Sequence, residues 1–195
     1  MQEANPTAET RWHLIFAPSI AVRAVWPGEI AHWLGDENAV AFPVRGTAEM
    51  RHRQLKSCEI EVEAMHDGKD IYVICNLEMA RIRPFKNKKG KLEWHVKNKA
   101  ADDEPETGAF YPELFDRVWD TIVVDESHRA LIKNGKTTQL RSGLTKLRSK
   151  QRVALSGTPM RGKPHQLWGT LNWLRPDVYT SYWDWVAQYL SLIHI

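Results

Sequence analysis

The sequence predicts an α/β domain of three layers built on a mainly parallel sheet. Short apolar runs rich in branched residues recur between stretches of helical character, the alternation expected when parallel strands are joined by crossover helices. Each run is apolar at successive positions, as strands buried on both faces are. Of the 195 residues, 43% are hydrophobic and 26% charged, enough to bury one core, which excludes a disordered tail or a repeat array.

Five strands are expected, at His13–Ala17, Ala39–Val44, Ile71–Cys75, Thr121–Val124 and Arg152–Ser156. Between them, Pro27 opens a helix carrying Ile30, Trp33 and Leu34, because proline lacks only a donor that is unsatisfied in the first turn anyway. Thr47–Met65 and Thr137–Leu147 read as the next helices. Leu167, Leu171 and Leu174, with Trp168, share one face at helical spacing, and Pro176 stops that helix. The segment from about 85 to 110 breaks the rhythm: six lysines within Lys86–Lys99, then four acids within Asp102–Glu106. It reads as a charged surface hairpin or loop inserted between strand units.

The net charge of +3 says little about partners by itself. No run approaches the ~18 apolar residues of a membrane span, and Met1 is followed by Gln2-Glu3-Ala4-Asn5 rather than an apolar leader. No membrane partner is expected, and the chain is placed in the cytoplasm. Cys58 and Cys75 lack metal-ligand spacing and read as reduced core residues. Trp119, Trp168 and Trp173 sit at apolar positions and read as core.

The sharpest signal is Thr121-Ile122-Val123-Val124-Asp125-Glu126-Ser127-His128, an apolar strand ending in two adjacent carboxylates. Nucleotide hydrolysis needs one carboxylate at a strand's carboxyl end to hold a magnesium shell and a second to activate the attacking water. Asp125 is thus expected to hold magnesium through water, Glu126 to activate water, and His128 to couple near the γ-phosphate. Downstream, Arg152-Val153-Ala154-Leu155-Ser156-Gly157-Thr158-Pro159 is another apolar strand ending in hydroxyls. Ser156 and Thr158, around Gly157, are expected to bond the preceding carboxylates and relay the nucleotide state.

The pair Asp125-Glu126-Ser127-His128 and Ser156-Gly157-Thr158-Pro159 resembles motifs II and III of superfamily-two helicases. Ala17-Pro18-Ser19 with Trp26, Glu29 and Trp33 resembles motif Ia of the chromatin-remodeller-like, DEAD/DEAH-box-related branch. Ile74-Cys75-Asn76-Leu77-Glu78 resembles the next strand and turn of that branch, Arg129 to Asn134 the basic run after motif II, and Leu167 to Pro176 the helix after motif III. The likeness runs from about Trp12 to Tyr189. It implies the first RecA-like lobe of a DNA-dependent ATPase, a helicase or translocase that uses ATP and Mg2+, with a second RecA-like lobe as partner in the same parent chain. Residues 1–190 are assigned to that lobe.

Departures qualify the resemblance. Met160-Arg161-Gly162-Lys163 stands where the family usually shows an asparagine. No G-x-x-x-x-G-K-[ST] loop occurs; Gly135-Lys136-Thr137 fails because Ala130 stands where its first glycine belongs. Without that loop the phosphates lose their main cradle, so weak or no ATP binding and no activity are expected of this chain alone. The lobe is expected to be truncated at both ends and incomplete at its N-terminal edge, and Ser191–Ile195 resembles translated adapter sequence, a non-native tail.

Between Arg129 and Pro176 there are eleven Lys or Arg and no Asp or Glu, the kind of field that phosphate backbones bind. Candidate nucleic-acid contacts are Pro18, Ser19 and Asn76, from the resemblance, and Arg141, Lys146 and Arg148, from the basic stretch. Two other readings stay open: a non-catalytic lobe that binds DNA or a partner protein, and the motor lobe of a restriction endonuclease.

Overall fold

The computed structural model describes residues 9–65, 68–83, 85–86, 92–93, 109–131, 138–160 and 163–190. Five parallel strands form one sheet: β1 (Trp12–Ala17), β2 (Ala39–Pro43), β3 (Asp70–Asn76), then β6 (Val118–Val124) and β7 (Arg148–Ala154), in the order β2-β3-β1-β6-β7. Helices α1 (Trp26–Leu34), α2 (Ala48–Met65), α3 (Gln139–Lys146), α4 (Leu167–Leu174) and α5 (Tyr182–Tyr189) complete the chain, with a two-stranded antiparallel pair, β4 (Phe85–Lys86) and β5 (Leu92–Glu93), in the charged insertion. The rest of that insertion, Gly135-Lys136-Thr137 and the 191–195 tail lie outside the described residues.

All five expected strands are present. Their parallel pairing requires each connection to cross back to the end of the sheet where the strands begin, which α1, α2 and α3 do between β1 and β2, β2 and β3, and β6 and β7. One face buries Leu14, Phe16, Ile71, Val73, Cys75, Ile122 and Val124 against Leu55 and Cys58 of α2, Leu140 and Leu144 of α3 and Trp173 of α4. The other buries Ile15, Ala17, Ala39 and Ile74 against Ala21, Val22 and Ile30. Helices therefore lie on both faces, giving the three layers. Cys58 and Cys75 are free and buried, and burial pushes the Cys75 thiol up. Trp119, Trp168 and Trp173 are 3%, 4% and 1% exposed, as core residues should be. No helix among the described residues is long and apolar enough to cross a membrane.

Four local expectations change. The last strand begins at Arg148, four positions early, and the helix before it is shorter, Gln139–Lys146. Thr138 caps that helix by accepting from Arg141 N–H at 3.1 Å. Polar Ser149, Lys150 and Gln151 are tolerated in β7 because it has one neighbour, β6; it is not buried on both faces. On α4, the buried residues are Trp168, Gly169, Thr170 and Trp173, while the three leucines are only half-buried. On α1, Ile30 faces the core, whereas Trp33 is 74% exposed and donates its indole N–H to Glu29 at 2.9 Å.

Candidate functional site

Because all five strands run the same way, their carboxyl ends share one rim, the usual ligand side of an open α/β sheet. Asp125 follows β6 directly and stays tied to the sheet, its N–H donating to Phe16 O at 2.8 Å. Glu126 then adopts φ 49°, ψ 43°, the single non-glycine residue with positive φ among those described. This left-handed step reverses the chain into a short 3-10 turn, Ser127–Arg129. The turn is sewn to the end of β7 by Ser127 N–H to Leu155 O and by Leu155 N–H to Val124 O, both 2.9 Å.

That pairing brings the two motifs together. The His128 Nδ1 lies 2.8 Å from Ser156 Oγ, 3.1 Å from Glu126 Oε2 and 3.5 Å from Thr158 Oγ1. Ser156 Oγ also accepts from Thr158 N–H at 3.1 Å, so its hydroxyl both shapes the loop and meets the ring. The hydroxyl link runs to His128 and not, as expected, to the carboxylates. The reason is geometric: the left-handed backbone at Glu126 turns the chain so that the ring two residues on faces β7. The His128 side chain is 10% exposed and Glu126 42%, so the carboxylate reaches solvent while the ring is held. Gly157 has open space beside it, and nothing in its surroundings demands glycine.

Asp125 is gripped by two donors. Oδ1 accepts from Glu126 N–H at 2.8 Å and Oδ2 from the Trp26 indole N–H at 3.2 Å. The second was not foreseen as a site contact. Trp26 stands among the motif Ia residues in the sequence, but what aims it is a π-helical turn, Ala21–Val25, which leaves no mark in hydrophobic periodicity.

Pro18 and Ser19 follow β1 on the same rim, next to Asn76 at the end of β3, since Ala17 pairs with Asn76. Asn76 donates its side-chain N–H to Ser19 Oγ at 2.6 Å and accepts Glu78 N–H at 2.9 Å. The structure thus brings Pro18, Ser19, Asn76, Asp125, Glu126, His128, Ser156, Gly157 and Thr158 to one rim.

It does not bring Arg141, Lys146 or Arg148 there. Arg141 is 5% exposed; its guanidinium donates to Leu131 O at 2.5 Å, Gly169 O at 2.7 Å and Asn172 Oδ1 at 2.8 Å. Burial pulls its pKa down to about 10. Arg141 is an interior staple, and its expected nucleic-acid contact is corrected accordingly. Arg148 pairs with Val118, at the amino-terminal start of β6, and donates to Asp116 O at 3.2 Å. It and neighbouring Lys146 therefore sit at the opposite end of the sheet, roughly 20 Å from the rim at ~3.3 Å per residue. Three more of the stretch are engaged elsewhere: Lys150 pairs with Asp120 at 2.6 Å, Arg152 donates to Trp173 O at 2.7 Å, and Arg175 pairs with Asp177 at 2.8 Å, while Arg129 ends the rim turn itself. Lys133, Lys136 and Arg161 lie outside the described residues.

A family profile described as "SNF2-related domain" matches residues 1–193. The ISWI chromatin-remodeling complex ATPase ISW1 of Saccharomyces cerevisiae is 37% identical over 73 residues, covering 36% of this chain and 6% of the yeast protein. The human SWI/SNF-related matrix-associated actin-dependent regulator of chromatin subfamily A member 1 is 43% identical over 63 residues, covering 32% of this chain and 6% of that protein. Among solved structures, the Sulfolobus solfataricus SWI2/SNF2 ATPase core in complex with dsDNA superposes with a TM-score of 0.50 at 17% identity, covering 91% of this chain and 27% of that one. The matched stretches thus span a small part of these relatives' length.

Proposed function

Since the chain belongs to the SNF2-related domain family, we propose that it is part of the first RecA-like lobe of an ATP-hydrolysing motor that moves on duplex DNA. The observation that carries this reading is the junction at the rim: adjacent carboxylates Asp125 and Glu126, followed by a histidine hydrogen-bonded to Ser156 from the next strand. Glu126, on a solvent-reaching side chain, activates the attacking water. The His128, Ser156 and Thr158 cluster ties the water-activating turn to the loop after β7, so that displacement of either is felt by the other. The remodelling ATPase and chromatin regulator among the relatives support ATP as the nucleotide and DNA as the polymer.

The donor set fits magnesium. Each Asp125 oxygen holds one hydrogen bond, leaving lone pairs for waters of the ion's shell. Such an ion is held by one or two carboxylates plus waters and phosphates. When bound, magnesium neutralises charge developing on the transferred phosphate. Asp125 would hold that shell, and a second RecA-like lobe of the parent chain would complete the site.

Ser19 and Asn76, beside the turn that Pro18 opens, take the DNA backbone. Hydroxyl and amide donors grip phosphates without reading bases, which a motor that tracks any sequence requires. It works wherever its DNA is kept, in cytoplasm, nucleoid or nucleus.

The test is Glu126→Gln in the full-length parent. Nucleotide binding should persist while DNA-stimulated hydrolysis is abolished; sustained turnover would remove Glu126 from its role. A wild-type parent that binds DNA without turning over ATP would leave a binding lobe in place of a motor.

A further inference from the structure

Trp26 joins two parts of the rim that are separate in sequence. Its ring packs on the Ile15, Ala17 and Ile74 cluster, and its N–H reaches Asp125 Oδ2 at 3.2 Å. It stands directly after the π-helical turn Ala21–Val25 and opens α1. A π turn holds one residue more than an α turn. That extra residue rotates everything after it by about 100°, the angle per residue of a 3.6-residue helix. Trp26 is aimed at Asp125 by this rotation. At the other end the turn is anchored to Pro18, whose carbonyl accepts Val22 N–H at 3.0 Å, beside the Ser19 and Asn76 pair.

We propose that Trp26 is a positioning residue: its indole N–H fixes the Asp125 carboxylate in the orientation that receives a divalent cation, and the π turn is the device that holds it there. This rests on the reading of Asp125 given above. Among the described residues the carboxylate otherwise has one donor, the N–H of Glu126, which controls Oδ1 alone. A donor on each oxygen removes rotation of the carboxylate about its own axis. Partners of this kind, one shell out from the ion, commonly change metal affinity by 10–100-fold.

The experiment uses the 195-residue chain with its tryptophan indoles 15N-labelled and Mn2+ as the probe, followed by paramagnetic broadening. The Trp26 resonance is assigned by its loss in Trp26→Phe. Mn2+ should broaden it, and the broadening should vanish in Asp125→Asn. In Trp26→Phe, with resonances near Asp125 as reporters, the Mn2+ midpoint should rise about tenfold or more while the melting temperature changes little. Without any cation, Asp125→Asn should already shift the wild-type indole resonance. An unchanged Mn2+ midpoint in folded Trp26→Phe, with Asp125→Asn still abolishing binding, overturns the role of Trp26 alone. Equal Mn2+ broadening in wild type and Asp125→Asn, or none in wild type, overturns the cation site itself.

Discussion

The imidazole of His128 and the hydroxyl of Ser156 meet at 2.8 Å, although 28 residues separate them. The contact exists because β6 and β7 are parallel neighbours in register, Val124 opposite Ala154, so that the turn leaving one strand lies beside the loop leaving the other.

The same geometry assigns the imidazole proton. Nδ1 faces Glu126 Oε2 at 3.1 Å, and an ionised carboxylate only accepts. The neutral ring is therefore expected as the Nδ1–H tautomer, donating to Glu126 and Ser156. Nitrogen-15 chemical shifts of His128 in the folded chain decide it; an Nε2–H ring would mean that the Glu126 contact does not persist.

The left-handed backbone at Glu126 predicts an order of stabilities. Such a conformation costs an L-residue roughly 1–2 kcal/mol and is worst for β-branched side chains. Glu126→Gly should be tolerated within about 1 kcal/mol despite glycine's entropy, whereas Glu126→Val should lose about 2 kcal/mol. Urea denaturation of the two variants measures this, and equal stability would contradict the strain.

Gly143 is a tight fit. A Cβ there would lie 1.5 Å from the carbonyl oxygen of Ala80, where α3 crosses the 3-10 turn after β3. Gly143→Ala should destabilise by at least about 3 kcal/mol, the upper range for overpacking, despite a gain of ~1 kcal/mol in helix propensity. A thermal melt at or above the wild-type value would show that the helix can move aside.

Arg141 binds three acceptors in the interior, so Arg141→Met should cost about 3 kcal/mol by leaving buried acceptors unpaired. Arg141→Lys should recover only part, because an ammonium lacks the planar fork. Denaturation curves test the stability, and DNA affinity of folded Arg141→Lys should match wild type. A selective loss of DNA binding would return Arg141 to the surface.

His13 predicts a pH dependence. Burial holds its pKa below the ordinary value, with Asp70 and Asp120 opposing and Arg11 assisting. The fold thus favours the neutral ring. Stability is fully present above the unfolded value of about 6.5 and falls as pH drops from there through the depressed folded value. His13→Phe keeps the ring stacked on Tyr72, now 4.5 Å away, and should remove that part of the slope. Urea midpoints between about pH 7.5 and 5 compare the two; parallel slopes would refute it.

The fold was legible because burial writes itself into local composition. A strand covered on both faces is apolar at nearly every position, and β1, with Leu14, Ile15, Phe16 and Ala17 all buried beside the single polar His13, shows the rule. β7 escaped it because an edge strand has water beside it, so Ser149 to Gln151 gave no strand signal. The leucines of α4 misled for a related reason: which stripe faces inward is decided by what approaches, here the Arg141 guanidinium at Gly169.

The sequence by itself determined the alternation of strands and helices, the carboxylate pair at a strand end, and the hydroxyl loop thirty residues on, since these are patterns of residue type along one chain. Only the tertiary structure decided that His128 and not a carboxylate meets Ser156, that Trp26 holds Asp125, and that, of the basic stretch, Arg141, Lys146, Arg148, Lys150, Arg152 and Arg175 are scattered between core, ion pairs and the far end of the sheet. Charge counted along a chain is one-dimensional. Whether it forms a field depends on which side of each strand and helix its residues leave from, and packing alone sets that.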